Sequence, residues 1–576
     1  MTRMPWPYAL AAGLLSTVVA LAAVQAQKSK PAPPFSVVEA TIPDLQKALA
    51  SGRITSRQIV EQYLVRIATY DHRLRATIAV NPRALQDADM LDRERVQGKV
   101  RGPLHGIPIA LKDNIHTVDV HTTGGSLAFA DLVPPYDATH TRNLRDAGAI
   151  IIAKTQLTEL ANWAAGNMPG NMPGNYTAVG GQGLNPYDAR PDPRTGLDDG
   201  RPVMPTGGSS SAAGTAVSFW PADVGTDTGG SVLNASNFTM IVGIRPTTGR
   251  ISRHGVIPIT ADQDTPGPMT KTVTDAALLL GALESAQPDA NDAATKVCTP
   301  PPGRDYTKFL DANALKGARI GIPRAFFYDT LTVLGRRRGG LSAAQRVAMD
   351  EAIAALKAQG AVIVDPVTIP SIVVERKDDN FLEFPFCQAA DQGRGHDADC
   401  SVVFKYGMKR DFNVWLASLG DLAPVASLTA LREWNIRHQR GGAIRYGQAR
   451  LDISDKMDLR QDLDRYNADR RKDLRLSRAQ GLDAALANNT LDALLFPGNA
   501  GSDMAARAGY PSIAVPFARV PVTAPANNPF PPGFDPKPVP FGVQILTAQC
   551  AEPRMLALAY AFEQATRKRV PPSAYP

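Results

Sequence analysis

Residues 207–249 read GGSSSAAGTAVSFWPADVGTDTGGSVLNASNFTMIVGIRPTTG. Two serine-bearing glycine turns, GGSSS at 207–211 and GTDTGGS at 225–231, stand on either side of a helix-length apolar run. Glycine beside a hydroxyl, twice over, suits a tight backbone that a ligand must approach closely. Flexible Ser/Gly linkers would be polar and unpatterned, whereas residues 212–220 and 222–224 are apolar enough to be buried between the turns. The stretch belongs to a packed interior.

Outward from it, strands and helices alternate. Toward the N-terminus, Thr41, Pro43 and Asp44 open a helix that Gly52 closes, and Thr55 with Gln58 forms a capping box for a second helix whose Ile59, Tyr63, Leu64 and Ile67 share one face. Residues 76–80 alternate like a strand and 82–96 return to helical spacing. GIPIAL at 106–111 is a buried-strand run that delivers Lys112 at its end, and 149–153 is a second such run. Residues 162–206 are turn-dominated, fit for the wall of a pocket. Toward the C-terminus, 274–285 reads as a helix, 318–322 and 361–364 as strands flanking a helix at 343–359, and 366–480 as a helical, Arg- and aromatic-rich insertion carrying Trp415 and Trp434. Strand spacing returns at 491–496, 512–515 and 542–546, before an amphipathic helix at 555–567. Core strands from both ends of the chain predict one large α/β domain.

The 576 residues carry 62 basic and 55 acidic side chains without a clustered Lys/Arg stripe, which argues against a nucleic-acid partner. Arg3, the apolar residues 8–23 and the small residues Val24 and Ala26 predict an export signal cleaved after Ala26, with an uncleaved N-terminal anchor as the alternative. After cleavage no membrane insertion is expected, and the destination is the periplasm or the exterior. In that setting Cys298, Cys387, Cys400 and Cys550 are either two disulfides in one of three connectivities or four buried apolar side chains.

No nucleophile elbow, HExxH, Walker lysine or dinucleotide fingerprint is present, and the eight histidines lack ligand spacing, so neither metal nor cofactor is expected. Serine and lysine remain. A serine hydroxyl needs a base, and a lysine desolvated enough to be neutral can supply one. Lys112, at the end of an apolar run, is the candidate; its other reading is a structural lysine paired with Asp113 or Asp227.

GIPIALKDNI at 106–115, GGSSSAAGTA at 207–216, GTDTGGSV at 225–232 and GIRPTTGRIS at 243–252, in this order and at these separations, resemble the amidase signature family of serine hydrolases. AGYPSIAVP at 508–516 and PFGVQIL at 540–546 are similar to that family's closing strands. The resemblance implies a central mixed, mostly parallel twisted sheet with helices on both faces: residues 1–26 signal peptide, 27–40 leader, 41–576 amidase domain with the 366–480 insertion over its core. It implies Lys112 as base, Ser209 as a bridging serine preceded by a cis peptide, and Ser231 as nucleophile. The main-chain amides of Thr228, Gly229, Gly230 and Ser231 would face an oxyanion, with Gly208, Ser210 and Asp227 in support. Many members carry arginine two residues after the nucleophile; here that residue is Leu233. The implied activity is hydrolysis of a small-molecule or peptide amide through an acyl-serine. A glutamine-hydrolysing component of an amidotransferase, an esterase or carbamate hydrolase, and a non-catalytic binding protein stay open as alternatives, as does the choice between monomer and homodimer.

Overall fold

The capping signals act where they stand. In the computed structural model, Thr41 and Asp44 exchange side-chain and backbone hydrogen bonds at the start of α1 (Ile42–Ala50), and Thr55 and Gln58 do the same for α2 (Ser56–Tyr70). The structure describes residues 34–166, 171–209 and 211–576; the expected signal peptide, the leader up to residue 33 and Ser210 lie outside them. Residues Val37–Pro576 pack as one unit, and none of the described helices is long and apolar enough to cross a membrane.

Eleven strands form the central sheet. In chain order they are β1 (Thr77–Val80), β2 (Pro108–Lys112), β3 (Ile150–Thr155), β4 (Ala222–Asp227), β5 (Val242–Arg245), β6 (Thr265–Thr270), β7 (Arg319–Gly321), β8 (Val362–Val364), β9 (Ala493–Pro497), β10 (Ser512–Val520) and β11 (Val539–Leu546). Their spatial order is β1-β3-β2-β4-β6-β5-β10-β11-β9-β7-β8. The sheet is mixed, as expected, but not mostly parallel. Among the described residues only β3–β2, β2–β4, β9–β7 and β7–β8 are parallel neighbours; the other six pairs are antiparallel.

The reason is an insertion made twice. β4 and β5 are joined through helix α3 (Ser231–Thr239) and run the same way, but β6 lies between them, antiparallel to both. β9 and β10, joined by a helix at Ser502–Ala508, are likewise parted by β11. The helix-length run after GGSSS is also split: Ser211–Ala216 is helical, and from Ala222 the chain is already in β4.

The insertion is helical and docked. Helix α4 (Val403–Ser418) presents Phe404, Met408, Phe412 and Trp415 at helical spacing to Phe129, Trp163 and Ile257 of the core. Four such buried side chains contribute on the order of 10 kcal/mol before chain entropy is subtracted. Cys387–Cys400 closes a loop inside the insertion and Cys298–Cys550 joins segments 252 residues apart, so the bridged reading of the cysteines holds.

Candidate active site

β2 is buried along its whole length, and its last residue and the one after it turn to opposite sides. Asp113 takes Lys154 of β3 at 3.1 Å, both fully buried. Lys112 pairs with neither Asp113 nor Asp227. Its Nζ donates instead to the carbonyl oxygen of Thr226 at 3.1 Å and to Thr226 Oγ1 at 2.9 Å. Burial lowers its pKa to about 7, opposed by the negative charges of Asp227 and Asp264.

Ser209 reaches the same atom. Its hydroxyl, fully buried, donates to Thr226 O at 3.2 Å. Among the described residues the cis peptide bond is Asp365–Pro366, so the bond before Ser209 is not the cis peptide expected. The chain reverses instead at Gly207, whose φ of 77° lies in the left-handed region. Gly208 then lies against the third residue of the set: a Cβ built on it would stand 2.5 Å from Ser231 Oγ. Thr226 O thus gathers Lys112 and Ser209, and the turn before Ser209 is seated on Ser231.

Ser231 is the first residue of α3 and is partly exposed. Gly230, with φ of 112°, turns the chain into it. The Asp227 carboxylate fastens that turn, accepting the amides of Gly230 at 2.8 Å and Val232 at 2.9 Å. Gly230 N–H is therefore turned inward, away from the role expected of it. The amides of Thr228, Gly229 and Ser231 have no intramolecular acceptor among the described residues, and a Cβ at Gly229 would meet nothing within 4 Å. Arg245 of β5, fully buried, meets Asp227 at 2.6 Å. It supplies the counter-charge that Leu233 cannot.

Sequence reading missed Thr226, Asn114, Arg245, Gln263 and Asp264. Asn114 Nδ2 donates to Thr226 Oγ1 at 3.0 Å, and Gln263 and Asp264 hold Thr228 from the loop that precedes β6. Among the described residues no group of three or more acidic, His or Cys side chains could hold a metal ion. His116 and His140 are kept neutral by burial, their pKa values lowered to about 3 and about 4.

Residues 58–556 match the family model Amidase. A probable amidase of Arabidopsis thaliana is 31% identical over 97% of this chain and 96% of its own length. The crystal structure of native peptide amidase from Stenotrophomonas maltophilia superposes with a TM-score of 0.75 at 33% identity, covering 93% of this chain and 98% of that one. The structure of an amidase family protein from Bacillus anthracis superposes with the same TM-score of 0.75 at 28% identity, covering 93% of each chain. The chain belongs to the amidase family. It is a hydrolase that acts on amides.

Proposed function

We propose that the protein cleaves a carboxylic amide through an acyl-Ser231 intermediate, with Ser209 and Lys112 as the proton relay. The observation that carries this reading is the convergence of Lys112 Nζ and Ser209 Oγ on Thr226 O, with Gly208 packed on Ser231 Oγ. A neutral lysine amine has two N–H bonds and one lone pair. Both donors are engaged by Thr226, which leaves the lone pair to accept a proton. Ser209 passes its proton to Lys112 and takes that of Ser231, whose oxygen bonds to the amide carbonyl carbon. The carbonyl π electrons move onto oxygen, facing the amides of Thr228, Gly229 and Ser231. The ammonium of Lys112 then returns the proton through Ser209 to the leaving nitrogen as the C–N bond breaks. Water repeats the sequence on the ester, releasing the acid and restoring Ser231.

The likeness to a peptide amidase supports a peptide C-terminal amide as substrate, with aryl and aliphatic amides as the wider class. Two disulfides suit an oxidising compartment and support an exported enzyme. They weigh against the glutamine-hydrolysing component of an amidotransferase, whose tRNA-dependent partners work in the cytoplasm. The test is labelling with a fluorophosphonate, together with ammonia or amine release from a panel of amides. Wild type should be labelled at Ser231 and turn over; Ser231→Ala should do neither, and turnover by that variant would refute the assignment.

A further inference from the structure

Thr228 lies between the glycines before the nucleophile and a loop, residues 259–264, that no motif marks. Both polar ends of Thr228 are held from that loop. Its hydroxyl donates to Asp264 Oδ1 at 2.5 Å, and its carbonyl oxygen accepts from Gln263 Nε2 at 3.0 Å. Asp264 Oδ2 accepts the amides of Ile259 at 2.9 Å and Thr260 at 3.0 Å, closing the loop on itself. The side chains of Thr228, Gln263 and Asp264 are all buried. The peptide group between Thr228 and Gly229 is planar and trans, so its carbonyl and its N–H point opposite ways. With the carbonyl turned to Gln263, the Gly229 N–H is turned away from it, and Gly229 borders open space.

The insertion clamps the loop in turn. Asp262 accepts from the Tyr466 hydroxyl at 2.8 Å and from Arg410 Nη2 at 3.2 Å, and Ala261 N–H donates to Asp411 Oδ2 at 2.7 Å. Gly407 of α4 permits the close approach, since a Cβ there would fall 2.2 Å from Thr260 Oγ1.

We infer that Gln263 and Asp264 are positioning residues for acyl transfer: they aim the Gly229 amide at the developing oxyanion, and the helical insertion holds them in place. The inference rests on Ser231 as nucleophile and on these amides as its oxyanion donors. Neither residue meets substrate; each acts through Thr228. A donor that swings away is worth no more than one that is missing, which sets the ceiling of the effect at about 100- to 1000-fold in kcat.

The experiment compares Gln263→Leu, Asp264→Asn, Thr228→Val, Thr228→Ser and the double variant Thr228→Val/Asp264→Asn, each first titrated with a fluorophosphonate to count competent Ser231. Per labelled site, Q263L, D264N and T228V should lose about 10- to 100-fold in kcat with KM unchanged. T228S, which keeps the hydroxyl, should recover most of the loss. The double variant should lose less than the product of the single losses, because both changes act on the Thr228–Asp264 hydrogen bond. Wild-type kcat in Q263L and D264N, or multiplicative losses in the double variant, would overturn the inference. Should D264N fail to fold, the Thr228 pair decides, since it leaves the carboxyl in place. A wild-type enzyme that is not labelled at Ser231 would instead remove the reading beneath it.

Discussion

Replacing Lys112 with methionine separates what this residue does in catalysis from what it does to the fold. The side chain is fully buried, with a pKa near 7 against an ordinary 10.5. At neutral pH, folding must strip a proton from it or bury the charge. At ~1.4 kcal/mol for each tenfold change in the protonation equilibrium, that costs on the order of 5 kcal/mol. Methionine gives up little in return. Thr226 O keeps the Ser209 hydroxyl at 3.2 Å, and Thr226 Oγ1 keeps Asn114 Nδ2 at 3.0 Å, so neither acceptor is orphaned. The two lost hydrogen bonds are worth about 1 kcal/mol each. K112M is expected to be inactive yet about 2–4 kcal/mol more stable than wild type at pH 7. The unfolded lysine keeps its proton to about 10.5 and the folded one only to about 7, so wild type gains stability as pH rises across that window and the variant's advantage shrinks. Urea unfolding followed by tryptophan fluorescence, with the disulfides intact, at several pH values from about 6 to about 9, reads both effects. A variant less stable than wild type at pH 7, or an advantage that widens with pH, refutes the reasoning.

The same lysine sets the rate profile: kcat/KM should climb through pH 7, since only the neutral amine accepts a proton, and a profile flat on both sides of neutrality would contradict the relay. Gly208→Ala places a methyl group 2.5 Å from Ser231 Oγ; kcat should fall at least ~100-fold while the protein stays folded by circular dichroism, as for other displaced nucleophiles. Opening Cys387–Cys400, 13 residues apart, by a paired change to alanine should cost ~3 kcal/mol, read as a lowered urea midpoint with faster proteolysis inside the insertion.

Much of this was legible because the signals are local. Thr41 with Asp44 and Thr55 with Gln58 carry their own helix starts, and the apolar runs of β2 and β3 need no partner to be recognised. β6 is the opposite case. TPGPMT holds two prolines and a glycine in the middle of a sheet, where proline lacks the ladder donor. It is tolerated because β5 pairs only with Met269 and Thr270, so Pro266 and Pro268 lie beyond the end of the ladder with that neighbour. Gly267 is needed where Ile244 O approaches; a Cβ there would fall 2.0 Å from that oxygen. Missing β6 hid two of the six antiparallel pairs of the sheet. At the site, Lys112, Ser209, Ser231 and Arg245 sit in motifs, whereas Gln263 and Asp264 act through hydrogen bonds to Thr228, 35 and 36 residues away in sequence, which no spacing encodes.

The hexapeptide from Thr226 to Ser231 shows why the site had to be assembled this way. Its first carbonyl accepts from both Lys112 and Ser209, the base and bridging serine of the proposed relay. Asp227 ties down the amides entering α3 and draws Arg245 from the next strand. Thr228 is held at both ends from a loop under the insertion. A segment with three glycyl or seryl residues in its last three positions has little packing of its own to resist rotation, so its geometry must be imposed by groups from other elements. The charged anchor among them is expensive to break from one side: loss of either partner of a buried pair such as Asp227–Arg245 costs about 3–5 kcal/mol because the other charge is stranded. That cost, and the desolvation of Lys112, are borne by apolar surface elsewhere. The aromatic stripe of α4 against the core supplies stabilisation of that size, and it does so while holding the loop that holds Thr228. In this reading the insertion is part of the catalytic frame, coupling the enzyme's stability to the direction of one amide.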